Sequence, residues 1–179
     1  MLEFREISVS DRQRVCSALK YSDFMGCEYS FANNMAWRRL ADSKITFYKD
    51  FYICCAFDTE DGYPHFILPA GQGDYKDLFR ELMRYTDAAG APLILTGITD
   101  SSLKMLSDLF PDRFTYELDR DSSDYIYLTE DFISLKGKKY HGKRNHLARF
   151  KELDYTYSPI TEKDFDDCII FCTAEYNNR

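Results

Sequence analysis

The chain lacks several features that would place it in familiar classes. No run approaches the roughly 20 apolar residues needed to span a bilayer, and the start, Met1-Leu-Glu-Phe-Arg-Glu6, has no apolar signal core. A cytosolic location is the expectation. The six cysteines stand at 16, 27, 54, 55, 168 and 172 and form no Cys-x-x-Cys pair. Cys54 and Cys55 are adjacent, a poor basis for a disulfide framework, and Cys168 and Cys172 have no nearby histidine to complete a metal site. Buried free thiols in a reducing compartment are expected. The Ser101-Ser102 and Ser122-Ser123 pairs have no glycine elbow around them, which argues against a serine nucleophile. Asp119, Asp121 and Asp124 lack the glycine and bidentate glutamate of a calcium loop, so no metal is expected. Histidine is scarce: His65, His141 and His146 are the whole set.

What is present is apolar mass. Hydrophobic residues make up 45% of the 179, and 14 Tyr and 14 Phe supply enough volume for a substantial core. The length fits one ordinary domain with part of another. The net charge is −7, which argues against a general nucleic-acid coat.

One stretch departs from that acidic balance. Residues 135–151 hold seven Lys and Arg and no carboxylate, so the rest of the chain stands at −14. A positive island on an acidic protein attracts phosphate, carboxylate or an acidic surface. Wound as one helix, it would project Tyr140 and Leu147 together with Phe150 nearby, as the packing side. Lys138, His141, Asn145 and Arg149 would oppose them, with Lys139 and Lys143 on one edge and Arg144 on the other. The like-charged pair Lys139 and Lys143 costs an isolated helix a few tenths of a kcal/mol, which an anion or acidic partner would offset. The competing reading is a linker helix whose cations lie against the carboxylates of the domains it joins.

The periodicities predict a mixed α/β layout around one central sheet. Leu2–Ile7 alternates as a short strand, and Ser10 with Gln13 reads as a helix entry. Ser22-Asp23 reads as a second cap, before a helix over Phe31–Leu40 with Trp37 as a packing residue. Ile45–Lys49 and Phe51–Phe57 form a hairpin across Lys49-Asp50, and His65–Leu68 is a third strand, His65 being structural. A helix from Tyr75 to about Ala89 stops at Gly90. Pro92–Thr96 reads as a strand buried on both faces, and Asp100 or Ser101 caps the next helix. Arg113–Leu118 and Asp124–Leu128 read as the last strands.

Two further patterns bear on function. The turn Leu68-Pro-Ala-Gly71-Gln72-Gly73 sits between a strand and a helix, where backbone N–H groups can hold a pyrophosphate. Asp74 would repel such a group, and a purely structural turn is the alternative. At a constant offset of 151, Leu2-Glu-Phe-Arg-Glu-Ile-Ser-Val-Ser-Asp11 resembles Leu153-Asp-Tyr-Thr-Tyr-Ser-Pro-Ile-Thr-Glu162. This reads as an internal repeat whose second copy has only begun, and the chain is then expected to be part of a longer protein.

Gly137-Lys-Lys-Tyr-His-Gly-Lys-Arg-Asn-His-Leu-Ala-Arg-Phe150 resembles the signature of the DUF2156 group of bacterial proteins, relatives of the C-terminal catalytic domain of phosphatidylglycerol lysyltransferase. Ser22-Asp-Phe-Met25 and Phe31-Ala-Asn-Asn-Met-Ala-Trp-Arg38 are also similar to that group. The resemblance implies two GNAT-like domains in tandem: residues 1–133, a basic joining helix over 134–152, and the start of a second domain over 153–179. It implies acyl or aminoacyl transfer by positioning plus a general base, with the donor near the domain junction. The donor would be a coenzyme A thioester or aminoacyl-tRNA, which makes tRNA a partner. Ligand candidates are Lys138, Lys139, Lys143, Arg144, Asn145 and His146; Gly71, Gln72 and Gly73 are the pyrophosphate-loop candidates. The glycine loop of GNAT acyltransferases normally begins with Gln or Arg where this chain has Leu68. That departure keeps open a degenerate, non-catalytic module whose helix docks a second domain.

Overall fold

The structure is a computed structural model describing residues 2–22 and 25–177. The chain divides into two units, Met1–Ile126 and Tyr127–Arg179. The first contains a mixed sheet with helices on both faces, which is the α/β class expected from the sequence.

The sheet is built around one strand. β1 (Lys44–Tyr48) and β2 (Phe51–Ala56) form an antiparallel hairpin with Lys44 opposite Cys55 and Tyr48 opposite Phe51. Lys49, at φ 53°, makes the turn. β3 (His65–Ile67) pairs antiparallel with the end of β2, while β4 (Ala70–Gly71) pairs with its beginning. β5 (Ile94–Thr96) runs parallel to β3.

Strand alternation decides what each face of β2 covers. Phe51, Ile53 and Cys55 enter one core with Phe66, Leu78 and Phe79. Tyr52 and Cys54 enter the other with Ile7, Val15 and Ile45. The adjacent cysteines therefore point to opposite sides of the sheet. Both thiols are free and buried, and burial pushes Cys54 up to about 11 and Cys55 higher still; Cys27 and Cys172, expected to be buried as well, are exposed. Each large side chain so buried contributes about 1.5–3 kcal/mol.

The first core is closed by α3 (Tyr75–Ala88), whose buried Leu78, Phe79, Leu82 and Thr86 recur at helical spacing. Asp74 caps α3 by accepting from the amides of Lys76 and Asp77 at 2.8 and 3.1 Å. α4 (Asp100–Leu109) adds Leu106 to the same core. Its cap is Thr99, one residue before Asp100 and two before Ser101, the expected caps. The other face carries α1 (Arg12–Leu19) and α2 (Phe31–Trp37). Asn34 of α2 donates to the buried Tyr52 hydroxyl at 2.8 Å, satisfying both polar groups.

Several local expectations are corrected. The entry to α1 is set by Ser8 rather than Ser10, with Asp11 in place of Gln13: the Ser8 amide and hydroxyl both reach the Asp11 carboxylate at 2.9 Å. Ser30 caps α2, while Asp23 of the expected Ser22-Asp23 cap lies outside the described residues, as does Phe24. α2 ends at Trp37, and that indole is 59% exposed instead of packed. Leu2–Ile7 buries Leu2 and Ile7 but makes only one bridge, Arg5 with Ile45. β5 is half-buried rather than covered on both faces. Arg113–Leu118 and Asp124–Leu128 form no ladder, and Leu118 and Tyr125 are exposed. Alternation marks a segment able to pair, but a strand also requires an available edge.

In the second unit, α5 (Thr129–Ser134), α6 (His141–Phe150) and α7 (Phe165–Asn177) are separated by irregular chain. The amide and hydroxyl of Thr161 reach Asp164 at 2.7 and 2.9 Å, and one 3-10 turn leads into α7. The same device leads from Ser8 and Asp11 into α1. The two capping boxes are equivalent at an offset of 153, two residues from the offset that the sequence comparison gives.

Candidate functional site

The basic stretch is not one helix. α5 ends on Leu135 in the left-handed region, and Gly137 at φ 91° turns the chain. A single 3-10 turn over Lys138–Tyr140 then starts α6. Gly137 belongs there because a side chain at that φ is strained.

Tyr140 fixes this entry. It is the buried residue of the segment, lies on the Phe132 ring at 6.2 Å, and donates its hydroxyl to Asp131 at 2.9 Å. Phe132 in turn meets Tyr127 edge-on at 5.0 Å. Lys139 reaches the same carboxylate at 3.3 Å. The Tyr140 hydroxyl, helped by Lys139, holds Asp131 below the usual carboxylate range. Of the expected packing side, Tyr140 is buried, whereas Leu147 and Phe150 are 42% and 48% exposed.

The cations end in three different environments. Lys139 pairs with Asp131. Lys143 sits 5.6 Å from the centre of the Phe132 ring, a cation–π contact. Arg144 donates through Nη1 to the Leu135 carbonyl and, at 2.9 Å, to that of Gly137. It therefore closes the turn that α5 leaves open, and its charge meets no carboxylate. Asn145 and His141 approach at 3.3 Å, while Lys138 and His146 lie exposed. Among the described residues, Lys139 is the one cation of this stretch with a carboxylate partner. An arrangement in which Lys139, Lys143 and Arg144 all end on the chain's own carboxylates is therefore not formed. Asp131 and Phe132, which hold the segment, were not visible as partners because their pairing with Tyr140 and Lys143 follows no short repeat.

The glycine turn lies in the first unit. Gly71 is buried and pairs with Phe51, and Gly73 lies against the Phe51 ring. Gln72 is exposed. Asp74 already occupies the Lys76 and Asp77 amides at the start of α3, so the donors available to a phosphate there are fewer than the sequence pattern implies. His65 Nε2 pairs with Asp61 at 3.0 Å at the start of β3. Cys27, Glu28 and Asp124 bring ligand-type atoms within 4.8 Å of one another. There the Cys27 amide donates to Asp124 at 2.7 Å, and burial with both carboxylates raises the thiol.

A family profile described as phosphatidylglycerol lysyltransferase, C-terminal, matches residues 20–172. The crystal structure of a conserved protein of unknown function from Bacteroides thetaiotaomicron VPI-5482 superposes with a TM-score of 0.85 at 33% identity. The alignment covers 99% of this chain and 61% of that one, so the chain spans about three-fifths of its relative's length. No curated protein matches the chain. Among the described residues, no helix is long and apolar enough to cross a membrane.

Proposed function

Since the chain belongs to the phosphatidylglycerol lysyltransferase C-terminal family, we propose that it serves acyl or aminoacyl transfer, with Lys138, Lys143, Arg144 and their neighbours holding the phosphates of the donor. The observation that carries this reading is the partnering of the cations: seven lie in 135–151, and among the described residues Lys139 alone meets a carboxylate. Exposed cations without carboxylates attract phosphate by charge and by directed N–H groups. A coenzyme A thioester and an aminoacyl-tRNA both present such phosphates. Asn145 and His146 lie beside these cations in the sequence and extend the set of possible polar contacts.

The family resemblance supports a tandem GNAT-like arrangement, with residues 1–133 as the first domain, 134–152 as the joining segment and 153–179 as the start of a second. The repeated capping box, Ser8 with Asp11 and Thr161 with Asp164, supports the same division. A second reading, a non-catalytic module whose basic segment docks a neighbouring domain, is favoured by Asp74 on the α3 amides. The glycine turn would then be structural, and any donor site would lie elsewhere.

Calorimetric titration of the protein with coenzyme A and with aminoacyl-tRNA separates these readings. Transfer predicts binding by one of them and its loss when Lys139, Lys143 and Arg144 are changed together to Ala. Binding by neither, or binding that the triple variant leaves intact, rules out the donor site.

A further inference from the structure

In the first unit, Arg14 is a cation held against a ring rather than by a carboxylate. Its guanidinium lies 3.8 Å from the centre of the Phe47 ring, and no carboxylate pairs with it among the described residues. Its neighbours are different: Arg5 is engaged by Asp11, and Lys49 by Asp77 at 2.6 Å. Stacked on a ring, a guanidinium keeps its N–H edge for a planar acceptor.

Arg14 lines a cleft of about 350 Å³. Arg14, Ser17 and Ala18 line it from one face of α1, with Tyr21 just beyond the helix end. Phe47 and the hairpin residues Lys49 and Asp50 form the opposite wall, and Gln72 of the glycine turn closes it. Gln72 belongs to the pyrophosphate-loop candidates by its backbone; in the folded chain it lines this cleft together with Arg14.

The balance of charges limits what fits. Lys49 is already offset by Asp77, and Asp50 also lines the cleft, so at most one negative charge is matched, that facing Arg14. Ser17 and Gln72 add neutral donors, while Ala18, Phe47 and the 63% exposed Tyr21 add apolar surface. A second cleft of about 370 Å³ on Arg14 is lined by Glu3, Arg5 and Glu81; Arg5 is held by Asp11 and Glu81 by Arg84, which leaves Glu3 to turn an anion toward the Gln72 side. We infer that the Arg14 cleft binds a small monocarboxylate with an apolar body, the carboxylate forked by Arg14. A dianionic phosphate ester would face Asp50 with a second uncompensated charge. The inference is independent of the basic segment and of the transfer reading.

Nuclear magnetic resonance of the protein titrated with benzoate, benzamide or inorganic phosphate tests it. Benzoate is expected to shift the amides of Arg14, Ser17, Lys49 and Gln72 saturably in the millimolar range, and benzamide, which has the ring without the charge, is not. Arg14→Gln should weaken benzoate about tenfold, the loss of one charge-assisted pair. Arg14→Lys, which keeps the charge without the fork, should fall between it and the parent, and both variants should otherwise retain the parent spectrum. Equal shifts from benzoate and benzamide, no saturable shift, unchanged binding by Arg14→Gln, or phosphate binding more tightly than benzoate at the same amides would each overturn the assignment.

Discussion

Tyr140 donates its hydroxyl to Asp131 at 2.9 Å while its ring lies on Phe132, so a single side chain ties the start of α6 to α5 by a polar and an apolar contact. The two contributions separate by substitution. Tyr140→Phe removes one hydrogen bond to an exposed charged acceptor and leaves Asp131 with Lys139, the smaller of the two losses. Tyr140→Ala also removes the aromatic pair, about 0.5–1.5 kcal/mol beyond the area exposed. Amide hydrogen exchange across α6 should therefore speed up modestly in Tyr140→Phe and much more in Tyr140→Ala. Equal exchange in both variants would show that the ring contributes nothing to this joint.

The Arg5 guanidinium grips Asp11 through both terminal nitrogens, at 2.6 and 2.8 Å, while Ser8 adds its amide and hydroxyl. Arg5 first, then Ser8, hold the buried Asp11 carboxyl well below its ordinary range. A carboxyl with a depressed folded pKa stabilises the fold fully above its unfolded pKa, about 3.9, and loses that contribution as pH falls toward the folded value. Asp11→Asn should cost about 1–3 kcal/mol at neutral pH, as expected for hydrogen bonds to a charged group. Urea midpoints measured between pH 7 and pH 3 should converge, the parent falling more steeply than the variant below about pH 4. Parallel curves would mean that Asp11 does not set the acid response.

Much of the sheet is legible from the chain because its signals are local. The β1–β2 hairpin follows from dense β-branched and aromatic residues flanking Lys49-Asp50, and α3 follows from its apolar period ending before Gly90. The helix entries were harder. The sequence points to Ser10, and the Arg5–Asp11 pair that favours Ser8 instead is a contact between segments. The candidate site was legible as composition but not as geometry. Seven cations without an acid are plain in 135–151, yet what each cation meets depends on Asp131 and Phe132 in α5. The left-handed Leu135 breaks the single helix that a uniform 100° projection assumes. The Arg14 cleft left no pattern in the sequence, since α1, the hairpin tip and Gln72 come together only in the folded unit.

Gly71 distinguishes a glycine required by packing from one required only by a turn. A Cβ on Gly71 would fall 2.4 Å from the Asp50 carbonyl oxygen in the hairpin turn and 2.8 Å from the Phe51 Cα of the strand that β4 pairs with, both backbone atoms. Gly90, at φ 65° beyond α3, has open space at the same position. Gly90→Ala should therefore cost only the left-handed penalty, about 1–2 kcal/mol. Gly71→Ala must displace backbone in the central strand and should cost more, about 2–4 kcal/mol, by the same mechanism as overpacking a core. Chemical denaturation of the two variants compares them directly. A Gly71→Ala variant as stable as Gly90→Ala would show that the pairing of β4 with Phe51 is dispensable, and would free the Gly71-Gln72-Gly73 turn for a role in binding.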